Sequence, residues 1–152
     1  MDEQYKNNGA VWQTLLIKAE ASSRVAQLRL IKANTARREA LTQISRLDDL
    51  LVEYKRAHSQ VLREASDTFL VSNYRQFVSQ LEGIKAQASE SLSNFETECE
   101  TARRNLKSVD VERQKMESLA SKASKMQKRL VEYRDTKVVE AENLIRHNMS
   151  NL

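Results

Sequence analysis

His58, His147 and Cys99 are the residues of this 152-residue chain best suited to nucleophilic, general-base or soft-metal chemistry. Each of those chemistries needs company. A nucleophile needs a base within hydrogen-bond reach, and a zinc site needs three or four His, Cys or carboxylate ligands at motif spacing. Here the three residues stand alone and far apart, and no glycine-rich phosphate loop occurs. The residues therefore predict no catalytic site, no metal and no cofactor. The chain reads as a non-enzyme that works by presenting helix faces.

Charge is the next candidate for chemistry. Between positions 101 and 137 stand eleven cations, Arg103, Arg104, Lys107, Arg113, Lys115, Lys122, Lys125, Lys128, Arg129, Arg134 and Lys137, against five acids. Just before them, Glu82, Glu90, Glu96, Glu98 and Glu100 face only Lys85. Such a basic stretch is either a solvated helix face or a guide toward an acidic partner. Nucleic acid is not the expected partner, because the stretch lacks interleaved aromatic platforms and the net charge of +4 is modest.

Elements must position these groups, and composition says which. There is no proline, there are two glycines, 30% of residues are charged and 5% are aromatic. That mix does not build a globular core, but its Ala, Leu, Glu, Lys, Arg and Gln lose little entropy in a helix. Long helices follow. Stepping by seven from Trp12 meets Ala19, Ala26, Ala33, Ala40, Leu47, Tyr54 and Val61, with Leu16, Ser23, Leu30, Arg37, Ile44, Leu51 and His58 as the companion row. Stepping by seven from Tyr74 meets Leu81, Ala88, Phe95, Ala102, Val109, Met116, Ala123 and Leu130, and continues through Lys137 to Leu144. Its flanking row reads Phe77 and Ile84, then Leu92, Cys99 and Leu106, then Leu119, Met126 and Tyr133, a seam that drifts around the helix.

The two ladders are out of phase, so the helix breaks between them. Residues 65–72 hold Ser66, Asp67, Thr68 and Ser72, short polar side chains that compete for backbone groups and cap helix starts. The expectation is helix one over about 9–65, a turn over about 66–72 capped by Ser72 or a near neighbour, and helix two over about 73–147. A continuous kinked helix is the alternative. Folding back gives a single all-α domain over 1–152: two long helices in an antiparallel coiled-coil hairpin with unequal arms, roughly 85 Å and 115 Å long at 1.5 Å per residue. Symmetric pairing sets Trp12 near Ser124 and leaves residues 125–147 beyond their partner. That overhang carries Met126, Leu130, Tyr133, Val138, Ala141, Leu144 and Ile145 at helical spacing. Such a stripe asks for a partner protein; the alternatives are that it closes a homodimer or that it frays.

Two further limits come from the sequence. MDEQYKNNG at the start is too polar for a signal peptide, and no apolar run approaches the roughly 20 residues that span a bilayer. The lone cysteine makes no internal disulfide, so a cytoplasmic location is expected.

The block LDDLLVEYKRAHSQVL, a break, then SNYRQFVSQLEGIKAQ and a long basic arm resembles the FliJ/YscO family of bacterial type III export stalks, over essentially the whole chain. Its specific residues are Leu51 and Tyr54, then Asn73, Tyr74, Phe77, Leu81, Glu82 and Ile84, with an early W-x-x-L-L of Trp12, Leu15 and Leu16. The N-Y-x-x-F-x-x-x-L-E run is nearer the flagellar branch than the injectisome branch. Two positions depart from the family pattern: His58 stands where a second tyrosine is common, and Gly83 where a better helix former is usual.

The resemblance implies a hairpin similar to the γ stalk of rotary ATPases, associated with the inner membrane only through its partners. Its open end, with Trp12, Leu15, Leu16, Met126, Leu130, Tyr133, Val138 and Leu144, would enter the hexameric export ATPase and promote its assembly and hydrolysis. Leu51, Tyr54, His58, Asn73, Tyr74, Phe77, Leu81 and Ile84 would face the cytoplasmic domain of the large export-gate membrane protein. Members also handle export chaperones. The alternatives are an injectisome stalk and a self-associating structural coiled coil; a stalk is expected to be a monomer when free, a scaffold is not.

Overall fold

The computed structural model describes residues 2–64 and 67–152, with side chains from residue 8 onward. Two helices account for nearly all of them: α1, Asp2–Glu64, of 63 residues, and α2, Thr68–Ser150, of 83. The chain is an all-α helical hairpin. Threonine, a weak helix former, is accommodated because the hydroxyls of Thr14, Thr35, Thr42, Thr97 and Thr136 each donate to the carbonyl four residues earlier.

The opening of α2 differs from the expected one. Ala65 and Ser66 lie outside the described residues, and the cap is Asp67, not Ser72. Phe69 N–H donates to the Asp67 side-chain Oδ1 at 3.0 Å, and Val71 N–H to the Asp67 carbonyl at 3.5 Å. A carboxylate beside the exposed N–H groups of a helix start satisfies both a donor and the helix dipole. The helix therefore starts a full turn before Asn73 and Tyr74.

The contacts divide the chain into two compact units, Ala26–Leu106 and Met1–Val25 with Lys107–Leu152. In the first, the turn unit, every predicted α1 seam position from Ala26 to Val61 is buried or half-buried. Ala26, Ala33, Ala40, Leu51, Leu81, Cys99 and Ala102 form its core. The helices run antiparallel, as Asn34 against Cys99, Asp48 against Lys85 and Tyr54 against Tyr74 require. The second row on α2 is straight: Val71, Val78, Lys85, Leu92, Cys99 and Leu106 are all shielded, whereas Phe77 and Ile84 are 40% and 51% exposed. The expected start of the flanking row is thus corrected. Lys85 can occupy a seam position because its stem lies along the seam while its ammonium reaches Asp48 at 2.5 Å.

In the terminal unit, Trp12, Leu15, Leu16, Ala19 and Ser23 of α1 are shielded together with Val109, Met116, Ala120, Ala123 and Leu130 of α2. Gly9 faces Gln127, whose Oε1 lies 3.7 Å from the place of a Gly9 Cβ. Arg113 takes a row position by pairing with Asp110 at 2.9 Å and Glu117 at 3.0 Å, which holds its guanidinium pKa above the usual value. Met126 and Tyr133 are 52% and 63% exposed, so the end of the expected flanking row is corrected as well. The exposed end of α2 starts later than expected: Gln127 and Leu130 are still half-buried, and every residue from 131 to 152 is exposed.

Gly83 sits within α2 with open space where a Cβ would project, and no glycine has a positive φ. Nothing in the fold requires glycine here. Gly83→Ala is expected to stabilise the chain by about 1 kcal/mol, read as a rise in the thermal midpoint; an unchanged or lower midpoint would contradict that.

Candidate functional site

Two surfaces could bind a partner, one in each unit. In the turn unit, Tyr54 of α1 lies between two aromatics of α2, with ring centroids 5.8 Å from Tyr74 and 4.7 Å from Phe77, tilted by about 50°. His58 stacks on Tyr74 at 4.5 Å. Such tilted and stacked pairs add modestly to what burial alone supplies. Tyr74 O–H donates to the Tyr54 carbonyl, and burial pushes this phenol above its ordinary pKa. Ion pairs flank the cluster, Lys55 with Glu82 at 3.2 Å and Lys85 with Asp48.

The eight residues expected on this face separate into two kinds. Leu51 and Leu81 are 6% and 8% exposed, and hold the helices together beneath the aromatics. Tyr54, His58 and Tyr74 are half-buried, and Asn73, Phe77 and Ile84 are exposed. Leu70, which the sequence reading passed over, completes the surface. Leu70, Phe77 and Ile84 are seven apart, so they share one row of α2, and all three are exposed. Phe69 is exposed in the same first turn. A seven-residue step taken backward from Phe77 would have found Leu70. His58 Nε2 is shielded and has no hydrogen-bond partner among the described residues.

In the terminal unit the surface is the free end of α2. Val131, Val138, Ile145 and Leu152 are seven apart and all exposed, with Tyr133, Val139, Leu144 and Met149 beside them. Of the residues expected at the open end, Trp12, Leu15, Leu16 and Leu130 are half-buried in the seam, while Met126, Tyr133, Val138 and Leu144 are exposed. On the same helix Lys107, Lys122, Lys125, Lys128 and Arg129 are exposed, and none has an ion-pair partner among the described residues. Lys115, Lys122 and Arg129 share one row. In the turn unit Arg103 and Arg104 are exposed as well, Arg104 lying 4.0 Å from Glu100.

Further apolar surface went unread in the sequence. In the terminal unit α1 exposes Ile17 and Val25, and in the turn unit Leu28 and Ile31, all on the side away from the seam.

For small-molecule chemistry the arrangement offers little. Cys99 is 2% exposed, its thiol 3.5 Å from Asn34 Oδ1, so it packs as a small core residue. Among the described residues no group of three or more His, Cys, Asp or Glu is placed to hold a metal ion. No helix among them is long and apolar enough to cross a membrane.

These features define a class: a two-helix coiled coil whose recognisable surfaces are exposed helix faces. The chain belongs to the flagellar FliJ protein family, whose model matches residues 12–139. That span takes in most of both helices, with the aromatic cluster, the basic stretch and the first part of the free end. Comparison with curated proteins and with solved structures gives no significant match.

Proposed function

We propose that this chain is the stalk of a flagellar type III protein export apparatus and works by binding alone. The observation that carries the reading is the free end of α2, continuous helix to Ser150 with every residue from 131 onward exposed and Val131, Val138 and Ile145 on one row. An apolar row on a lone helix calls for a partner that surrounds it. The axis of a hexameric export ATPase is such a partner. One asymmetric rod in a ring of six identical subunits gives each subunit a different contact, and differential contacts bias subunit conformations. Met126, Leu130, Tyr133, Val138 and Leu144, with Trp12, Leu15 and Leu16 beside them, form the ring-facing end. Through it the chain promotes assembly and hydrolysis while supplying no catalytic group.

The turn unit carries the second contact. Leu70, Phe77 and Ile84, with Asn73, Tyr54, His58 and Tyr74 and with Leu51 and Leu81 beneath, present the face for the cytoplasmic domain of the large export-gate membrane protein. Two surfaces on one chain link ATPase to gate. The exposed Lys107, Lys122, Lys125, Lys128 and Arg129 steer the stalk toward acidic partner surfaces. Export chaperones are a further partner class. In this reading the chain is a cytoplasmic monomer when free, peripheral to the inner membrane through its partners, and binds no nucleic acid. The family match favours the flagellar over the injectisome system.

The test is the ATP hydrolysis rate of the cognate export ATPase with and without the chain, alongside light scattering of the chain alone. A monomer that raises the rate, with the effect lost on deleting residues 131–152, is expected. No stimulation together with a stable dimer would make the exposed row a self-association surface and overturn the proposal.

A further inference from the structure

Within the turn unit a groove of about 490 Å³ opens to solvent between Arg29–Ala36 of α1 and Phe95–Asn105 of α2. It has a plain cause in the sequence. Ala33, Ala36 and Ala102 put methyl groups where larger side chains would fill the space, and Phe95 joins them in the lining. The two rims carry opposite charge, Arg29 and Lys32 on α1 and Glu98 on α2, and all three are exposed. Elsewhere in this unit opposite charges on the two helices close onto each other, as Lys55 does on Glu82 and Lys85 on Asp48. At the groove they do not. None of Arg29, Lys32 and Glu98 has an ion-pair partner among the described residues.

We infer that this groove is a docking site for an amphipathic helix of a partner protein. Its apolar residues at i, i+3, i+4 and i+7 fill the alanine-lined floor, an acidic flank lies along Arg29 and Lys32, and a basic flank lies along Glu98. The shape argues for a helix, since a concave apolar channel between two helices takes the convex ridge of a third. The length agrees: the lining spans roughly 10–15 Å along the axis at 1.5 Å per residue, two to three turns. The charges then fix composition and direction, because only one orientation of such a helix sets each flank against its opposite rim. Two copies of the chain meeting groove to groove would set hollow against hollow. The site shares no residue with the aromatic cluster or with the free end of α2, so it leaves both proposed contacts open.

The probe is a fluorescein-labelled helical peptide of about 15 residues with leucines at that spacing, glutamates on one flank and lysines on the other, titrated with the full chain by fluorescence anisotropy. Saturable binding is expected. It should weaken by about tenfold in the chain carrying Arg29→Glu and Lys32→Glu, because both rims are then acidic and no orientation suits the acidic flank. A peptide with lysines on both flanks should show the reverse preference, binding the double variant better than the wild type. Ala36→Leu, which fills the floor, should abolish binding of both peptides, with helicity checked by circular dichroism. Equal binding of the first peptide to wild type and double variant would overturn the inference. So would a wild-type chain that is a dimer in solution and becomes a monomer with the two charge reversals, since the groove would then serve a second copy.

Discussion

Leu51→Ala is expected to lower the unfolding free energy by about 2–5 kcal/mol, whereas Ala26→Gly lowers it by only about 1 kcal/mol. Both positions are seam residues with almost no exposure, 6% for Leu51 and 2% for Ala26. They differ in what is buried. Removing three carbons from Leu51 leaves a cavity in the seam between the helices. At Ala26 one methyl is lost and the main cost is backbone entropy. The seam of α1 uses alanine at four of eight anchor positions, with Trp12 near its start and Leu47, Tyr54 and Val61 toward its end. Thermal melts should separate the variants by roughly 2–4 °C per kcal/mol, and equal shifts would show that apolar burial near the turn does not dominate stability.

Replacing Val138 and Ile145 together by serine is expected to remove most of the stimulation of the export ATPase while leaving the thermal midpoint of the free chain nearly unchanged. The reason is that both side chains are exposed, 57% and 60%, so folding draws little from them. Binding would draw a great deal. Each buried apolar side chain of this size contributes about 1.5–3 kcal/mol when it leaves water, and two such losses weaken a complex by two or more orders of magnitude. A double variant that unfolds early would mean that the row packs within the chain. One that stimulates fully would mean that the ring does not read this row.

Much of the fold was legible because a heptad is a strong signal in a chain without proline. The α1 ladder from Trp12 to Val61 and the α2 ladder from Tyr74 to Leu130 are the shielded rows. The companion row on α2 was legible only in its middle, at Leu92, Cys99 and Leu106. It contains Lys85, Arg113 and Gln127, which a search for apolar residues discards, and it runs beside Phe77 and Ile84, which such a search collects. Long polar side chains can lay their stems in a seam and send their heads to Asp48 or Asp110, and an exposed apolar row on the neighbouring face then looks like the seam itself. The start of α2 was missed for a related reason. Asp67 and Ser72 are both capping residues by type, and only geometry separates them.

The surfaces divide in the same way. Tyr54, Tyr74 and Phe77 were found as a group from spacing and resemblance, and they do meet as rings. Leu70 was hidden because it fell in the presumed turn. The apolar side chains of α1 on the face away from the seam, among them Val25 and Leu28, were hidden because the seam ladder accounted for that helix by itself.

The account stands on one rod serving one ring, and the most direct measurement is the stoichiometry of the complex with the cognate export ATPase, by native mass spectrometry in the presence of nucleotide. The prediction is a single copy of this chain per six ATPase subunits, with the assembly lost when residues 131–152 are deleted. Six copies per hexamer, or a single copy retained after that deletion, would contradict the placement of the free end of α2 on the axis of the ring.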